Sequence, residues 1–243
     1  MRVLAIVPAY NEARNLPAVL EALRHSAPQC DVAVVDDGST DATAEVARGH
    51  GATVLSSPFN LGIGGAIQTG YLWARDHGYD AAVQIDGDGQ HDPSSIPGAL
   101  APLREARADL VVGSRFLEAG GFRSTPLRRS GIRYLAWLLW LRCGARVTDP
   151  TSGFRAAGRN AIEYFAAHYP SDYPEPESIA LATRRGLRVV EVPVRMEPRL
   201  HGESSISAWG AVYYFVKVTL ALLLLPVAPT RKAPGAGSGD GIR

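Results

Sequence analysis

Short runs rich in Val, Ile and Leu recur along the chain at Arg2 to Val7, Asp31 to Val35, Ala52 to Leu55, Ala81 to Ile85 and Leu110 to Val112. Their apolar residues are consecutive rather than alternating, which predicts strands buried on both faces of a mostly parallel sheet. Between the runs the period changes. Leu16, Val19, Leu20 and Leu23 fall on one helical face, as do Ile63, Ile67, Tyr71 and Ala74. Strand and helix therefore alternate, and the expected architecture is an α/β domain with an open, mostly parallel sheet flanked by helices. In such sheets ligands bind beyond the carboxyl ends of the strands.

The second half has a different texture. Residues 126 to 144 mix arginines with aromatic and aliphatic residues, 159 to 168 reads as a short helix, and Arg188 to Val194 as a further strand. From Ala208 to Leu225 the chain is strongly apolar, and residues 230 to 243 form the low-complexity tail TRKAPGAGSGDGIR. The expected organisation is a domain over 1–207, an apolar helix at a membrane interface over 208–229, and a disordered tail over 230–243. As a helix, Trp209 to Leu225 would be about 25 Å long, short of the roughly 30 Å hydrocarbon core, and Lys217 interrupts it. It is expected to contact a membrane surface or a partner and to lie outside the catalytic core. LAWLLWL at 135–141, with Arg128, Arg129, Arg133 and Arg142 around it, suits a helix in an anionic headgroup layer, and a core helix with a solvated basic end is the alternative.

Composition narrows the function classes. A chain of 243 residues with 46% hydrophobic content can bury a substantial core, and its formal net charge of +1 gives no reason to expect nucleic acid. Two cysteines, Cys30 and Cys143, form no disulfide framework and no zinc motif. The apolar run after Met1 is too short for a signal peptide, so the expected location is cytoplasmic, peripheral on the inner face of the cell membrane.

The candidate chemistry sits at the predicted strand ends: Asn11 and Glu12 after the first, Asp36 and Asp37 after the second, Asp86, Asp88 and Gln90 after the fourth. Two carboxylates spaced D-x-D, with an amide oxygen beside them, suit a hard divalent cation that would neutralise a diphosphate. A solvated acidic turn is the bland alternative. Asp36 and Asp37 could accept from ribose hydroxyls or base N–H groups, or cap helices. The stretch NLGIGGAIQTG, residues 60–70, fits neither phosphate-loop pattern, and Gly62, Gly64 and Gly65 are expected to serve close backbone packing near a ligand. Arg115 after the fifth strand and Arg199 in RLHGESS are candidate phosphate-binding cations, with His201 and Ser204 beside the latter.

Taken together, PAYNE, VVDDGSTD, NLGIGGA, QIDGDGQH, VVGSR, DPTSGFR and RLHGESS resemble family 2 glycosyltransferases of the dolichol-phosphate mannose synthase type, across residues 3–207. The resemblance implies a GT-A fold, a nucleoside diphosphate sugar donor (UDP- or GDP-linked), Mg2+ or Mn2+, and inversion at the anomeric carbon. It implies that Pro8, Tyr10, Glu12 and Asp37 line the nucleoside pocket, that Asp86, Asp88 and Gln90 hold the metal, and that Arg115 and Arg199 contact the phosphates. It sets Ser152, Gly153, Phe154 and Arg155 near the acceptor, with Glu177 facing the same region. If the acceptor is a hydroxyl, Asp149 or Glu177 would be the general base; a polyprenyl phosphate is already an anion and needs none. Where the family has a lysine after Gly-x-Ser, this chain has Ser205, which removes a positive charge from the phosphate-binding wall. The leading expectation is transfer to a polyprenyl phosphate. Transfer to a hydroxyl acceptor such as a glycan, a nucleotidyltransferase and a non-catalytic nucleotide-sugar-binding partner are the alternatives.

Overall fold

The structure, a computed structural model, describes residues 1–117, 125–197 and 208–225. One sheet contains β1 (Val3–Ala9), β2 (Cys30–Asp36), β3 (Thr53–Ser56), β4 (Ala81–Gln84), β5 (Leu110–Ser114), β6 (Arg155–Gly158) and β7 (Val189–Pro193). Their spatial order is β3-β2-β1-β4-β6-β5-β7. The helices are α1 (Leu16–Ser26), α2 (Thr43–Gly49), α3 (Gly62–Asp76), α4 (Ile96–Arg104), α5 (Pro126–Cys143), α6 (Arg159–Ala167), α7 (Pro174–Arg185) and α8 (Ala208–Leu224). Every apolar run predicted as a strand is one.

The consecutive apolar residues of β1 explain its central place. Val3, Ala5, Val7 and Ala9 face one hydrophobic cluster with α1 and α4, while Leu4 and Ile6 face another with α3 and α6. Alternate side chains leave a strand on opposite faces, so only a strand covered on both sides needs such a run.

One strand departs from the parallel pattern. β6 runs antiparallel to both β4 and β5, pairing Arg155 with Gln84 on one side and with Val112 on the other. Its direction matters for the site. A strand inserted backwards begins at the edge where its parallel neighbours end, so the loop that precedes it, Asp149 to Phe154, enters beside the carboxyl ends of β4 and β5.

The C-terminal helix is not set apart from the domain, which corrects the expectation of a separate apolar segment. Val218 and Leu222 of α8 are fully buried in a third cluster with Leu135, Leu138 and Leu139 of α5 and Ile179 of α7. Phe215 packs onto Gly131 of α5, and Arg142 of α5 donates to the carbonyls of Leu223 and Leu225, both at 2.7 Å, closing the end of α8. Among the described residues no helix is long and apolar enough to cross a membrane. The tail at 230–243 lies outside the described residues.

Within the glycine-rich stretch, Gly64 packs against protein backbone and Gly65 against the Leu61 side chain, while Gly62, with φ +80°, serves the turn into α3 and not close packing. A methyl group at Gly64 would overlap the carbonyl oxygens of Pro170 and Ser171, which cannot withdraw as a side chain can. Gly64→Ala is therefore expected to destabilise the fold by roughly 1–3 kcal/mol, read as a lower urea midpoint; an unchanged midpoint would show that the α3 to 170–171 contact is loose.

Candidate active site

The loops after β1 and β2 are knitted to each other. Asn11 takes a left-handed conformation, φ 57°, and its side-chain oxygen accepts from the Thr40 N–H at 2.8 Å, while its own N–H donates to Ser39 Oγ at 2.9 Å. Glu12 donates its N–H to Thr43 Oγ1 at 2.9 Å and accepts from the Asn15 side chain at the start of α1. Tyr10 is exposed at the mouth of the cleft, whereas Pro8 is buried inside β1 opposite Val35.

Asp36 and Asp37 divide. Asp36 Oδ1 accepts from Ser39 N–H at 3.1 Å, closing its own loop. Asp37 reaches across to the first turn of α3, where its two oxygens accept from Leu61 N–H at 2.8 Å and Gly62 N–H at 2.9 Å. Those are N–H groups that a helix start leaves without intrahelical partners. Capping of a helix distant in sequence is what Asp37 does in this structure.

The D-x-D loop crosses the end of β1, where a methyl on Gly87 would stand 2.9 Å from the Pro8 carbonyl oxygen. The Asp86 side chain is 33% exposed. Gln84 Nε2 donates to its Oδ1 at 3.3 Å. Asp88 is nearly buried and its Oδ1 accepts from Gln90 N–H at 2.9 Å, which folds the loop back on itself. Two carboxylates and an amide oxygen are a hard-oxygen donor set. Among the described residues no group of three or more His, Cys, Asp or Glu side chains could hold a cation.

Arg115 and Asp149 form a bidentate pair. Arg115 Nε and Nη2 donate to the two oxygens of Asp149, each at 2.6 Å, and the side chains are 4% and 0% exposed. Nη2 also donates to Thr151 Oγ1 at 2.7 Å. Glu191 on β7 accepts from Thr148 N–H at 2.7 Å and Asp149 N–H at 2.9 Å, pinning the segment that carries Asp149. Burial raises the Glu191 carboxyl above its ordinary value, with these N–H groups opposing it. Asp149 as a general base is corrected: a fully enclosed carboxylate with both oxygens on a guanidinium is a structural anchor.

The 152–155 segment also resolves into separate tasks. Phe154 belongs to the hydrophobic core and is no acceptor contact. Arg155, likewise placed near the acceptor by sequence, is 1% exposed and spans from the Ser152 carbonyl to Ser178 Oγ and the Glu175 carbonyl at the start of α7. Gly153 lies against the metal-loop side, where a methyl would be 3.1 Å from Asp86 Oδ2. Among the described residues Ser152 Oγ is buried without a hydrogen-bond partner.

Two glutamates two positions apart on a helix point about 200° apart, so only one of Glu175 and Glu177 can face the cleft. Burial raises the Glu175 carboxyl, which shares the field of Arg155, Asp86 and Arg115. Glu177 is also raised by burial, but its charged neighbours are Lys217 and Asp172, away from Asp86. Glu175 thus shares its electrostatic surroundings with Asp86 and Arg115, a residue to which the sequence reading gave no role beside Glu177. Tyr214 of α8 borders the same space. Its ring meets Tyr173 edge-on at 4.9 Å, and burial raises its hydroxyl, with Glu175, Arg155, Arg115 and Asp149 as its charged neighbours. Arg128 of α5 is lowered first by burial and then by the like charge of Arg115. Arg199, His201, Ser204 and Ser205 lie outside the described residues.

The chain matches the family described as "Glycosyl transferase family 2" over residues 4–165. It is 37% identical over 216 residues to an undecaprenyl-phosphate mannosyltransferase of Micrococcus luteus, covering 85% of this chain and 88% of that protein. It is 34% identical to a polyprenol monophosphomannose synthase of Mycolicibacterium smegmatis, covering 85% of this chain and 81% of that protein. A Methanococcus voltae UDP-N-acetylglucosamine–dolichyl-phosphate N-acetylglucosaminyltransferase is 29% identical, with 90% and 94% covered. Among solved structures, glucosyl-3-phosphoglycerate synthase of Mycobacterium tuberculosis with Mn2+, UDP-glucose and phosphoglyceric acid superposes with a TM-score of 0.71 at 23% identity, covering 91% of this chain and 78% of that one, a likeness of fold.

Proposed function

The chain belongs to glycosyl transferase family 2, and from that membership we propose that it moves a sugar, with inversion, from a nucleoside diphosphate sugar to a polyprenyl phosphate. The observation that carries the acceptor is the chain's likeness, at 34–37% identity over 85% of its length, to an undecaprenyl-phosphate mannosyltransferase and a polyprenol monophosphomannose synthase. The names of the relatives point the same way, since three act on polyprenyl or dolichyl phosphates.

In this reading Tyr10, Glu12 and Asp36 border the nucleoside, and Asp37 fixes the α3 turn beneath it. Asp86, Asp88 and Gln90 would hold Mg2+ or Mn2+, which when bound neutralises charge on the diphosphate. Arg115, held rigid by Asp149 and Thr151, offers a guanidinium of fixed orientation that needs no rearrangement as charge develops. An acceptor phosphate oxygen attacks the anomeric carbon from the face opposite the leaving group. A new carbon–oxygen bond forms as the bond to the diphosphate breaks, and the nucleoside diphosphate departs with the electron pair. The attacking oxygen is already anionic, so no base is required.

The outer faces of α5 and α8 support docking on a membrane surface. Tyr134, Trp137, Trp140 and Leu141 of α5 and Tyr213, Val216, Leu220, Leu223 and Leu224 of α8 are exposed. Towards the start of α5, Arg129, Ser130 and Arg133 line a groove of about 220 Å³. Arginines beside an aromatic and aliphatic surface suit anionic headgroups over acyl chains, on the cytoplasmic side where nucleotide sugars are the donors.

Glu175 gives the second reading its observation, because a carboxyl raised by burial beside Asp86 could serve as base for a hydroxyl acceptor. The deciding assay offers UDP-, GDP- and dTDP-sugars with Mn2+ or Mg2+ and measures nucleoside diphosphate release, with and without polyprenyl phosphate in anionic vesicles. Release from one donor class that requires the lipid phosphate is expected, with Glu175→Gln retaining most of the rate. Release that ignores the lipid, needs a hydroxyl acceptor and falls roughly a hundredfold in Glu175→Gln would establish the other acceptor; release of pyrophosphate would mark a nucleotidyltransferase.

A further inference from the structure

His91 follows the D-x-D loop and is spent neither on the surface nor on a plain apolar core. Its side chain is 1% exposed. Phe154 meets the ring edge-on at 5.6 Å, and a methyl on Gly153 would stand 3.3 Å from Cε1. Backbone pairing with Met196, reinforced by the Glu197 N–H to Gln90 carbonyl bond at 2.9 Å, fixes the residue from the other side. The ring has little freedom to move or turn.

Its nitrogens both address one residue. Nδ1 lies 3.1 Å from the backbone nitrogen of Asp86. A backbone N–H can only donate, so Nδ1 must accept, and the ring proton then sits on Nε2. Nε2 lies 3.5 Å from Asp86 Oδ2, a dipole-to-charge contact longer than a hydrogen bond. Gln84 donates to the other oxygen. The Asp86 carboxylate is therefore held from beneath by two neutral groups, one per oxygen, while its backbone is tied to the same histidine. Neutral donors orient a carboxylate without supplying the positive charge that would compete with a cation.

We propose that His91 is a positioning residue for Asp86, setting backbone and carboxylate in the orientation that receives the divalent cation; this rests on the metal reading above. Groups that orient a ligand from behind typically change metal affinity 10–100-fold when removed. Two variants separate the bond from the packing. His91→Asn keeps an acceptor oxygen near the position of Nδ1, whereas His91→Phe fills the space of the ring and leaves the Asp86 N–H without its acceptor.

The experiment titrates Mn2+ into the full chain in the presence of UDP, or of whichever nucleoside diphosphate the donor assay selects, and follows binding by calorimetry and by the paramagnetic signal of free Mn2+. Thermal unfolding is recorded alongside. Expected is a Mn2+ affinity weakened on the order of 10–100-fold in His91→Phe but within about threefold of wild type in His91→Asn. Wild-type affinity in a folded His91→Phe would overturn the positioning role and leave the metal reading standing. A wild-type protein that binds no Mn2+ with any nucleoside diphosphate would overturn the metal reading, and this inference with it. Equal loss in both variants would assign the effect to the ring's packing and also overturn it.

Discussion

Asp88→Ala is expected to lose turnover by about a thousandfold or more, which corresponds to roughly 4 kcal/mol of transition-state stabilisation. The aspartate is nearly buried in a loop whose other carboxylate, Asp86, is a third exposed. The diphosphate of the donor would keep its charge while the site loses a hard oxygen. Asp86→Ala should be similarly impaired. Nucleoside diphosphate release measured against a Mn2+ series, with circular dichroism to show that the variant is folded, checks the expectation. An Asp88→Ala protein as fast as wild type in saturating chelator would sink the metal role of this loop.

Asp149→Ala carries the largest expected loss of stability, about 3–5 kcal/mol, because it leaves the Arg115 guanidinium charged in a place that excludes water. The pair is bidentate, with two contacts of 2.6 Å. A second variant separates stability from function. Replacing both partners, Arg115→Met with Asp149→Leu, removes the uncompensated charge and should recover much of the lost stability. It should not recover turnover, since the positive potential at the cleft goes with Arg115. Urea unfolding and nucleoside diphosphate release on the same preparations test both halves. A stable double variant with wild-type turnover would show that the pair is architecture alone, and an Asp149→Ala protein as stable as wild type would show that the site relaxes to admit water.

The elements were legible because their signals are local. The unbroken apolar residues of Val3 to Val7 announce a strand covered on both faces, and both faces are covered. The i, i+3, i+4 spacing of Leu16, Val19, Leu20 and Leu23 gives α1, all four buried. β6 was not legible. Its four residues, Arg155–Gly158, contain two alanines and carry no strand signature, and they are a strand because β4 and β5 leave a gap that each side of the backbone fills. The packing of α8 was equally hidden, since its apolar residues run all round and periodicity alone does not say which face is covered.

Sequence by itself determined the alternation of buried strands with helices in the first half, the family, and the gathering of polar residues at the carboxyl edge of one sheet. Tertiary structure decided which of those residues face the cleft and which hold it together. Asp37 spends its oxygens on amides 24 and 25 positions later, and Arg115 spends two donors on a carboxylate 34 positions away. Arg155 ties the loop before β6 to α7. The physical reason is range. Hydrophobic periodicity is written within one turn or one pleat, whereas a buried charge takes whatever opposite charge or N–H the fold brings to it, and that partner is fixed only when distant loops meet.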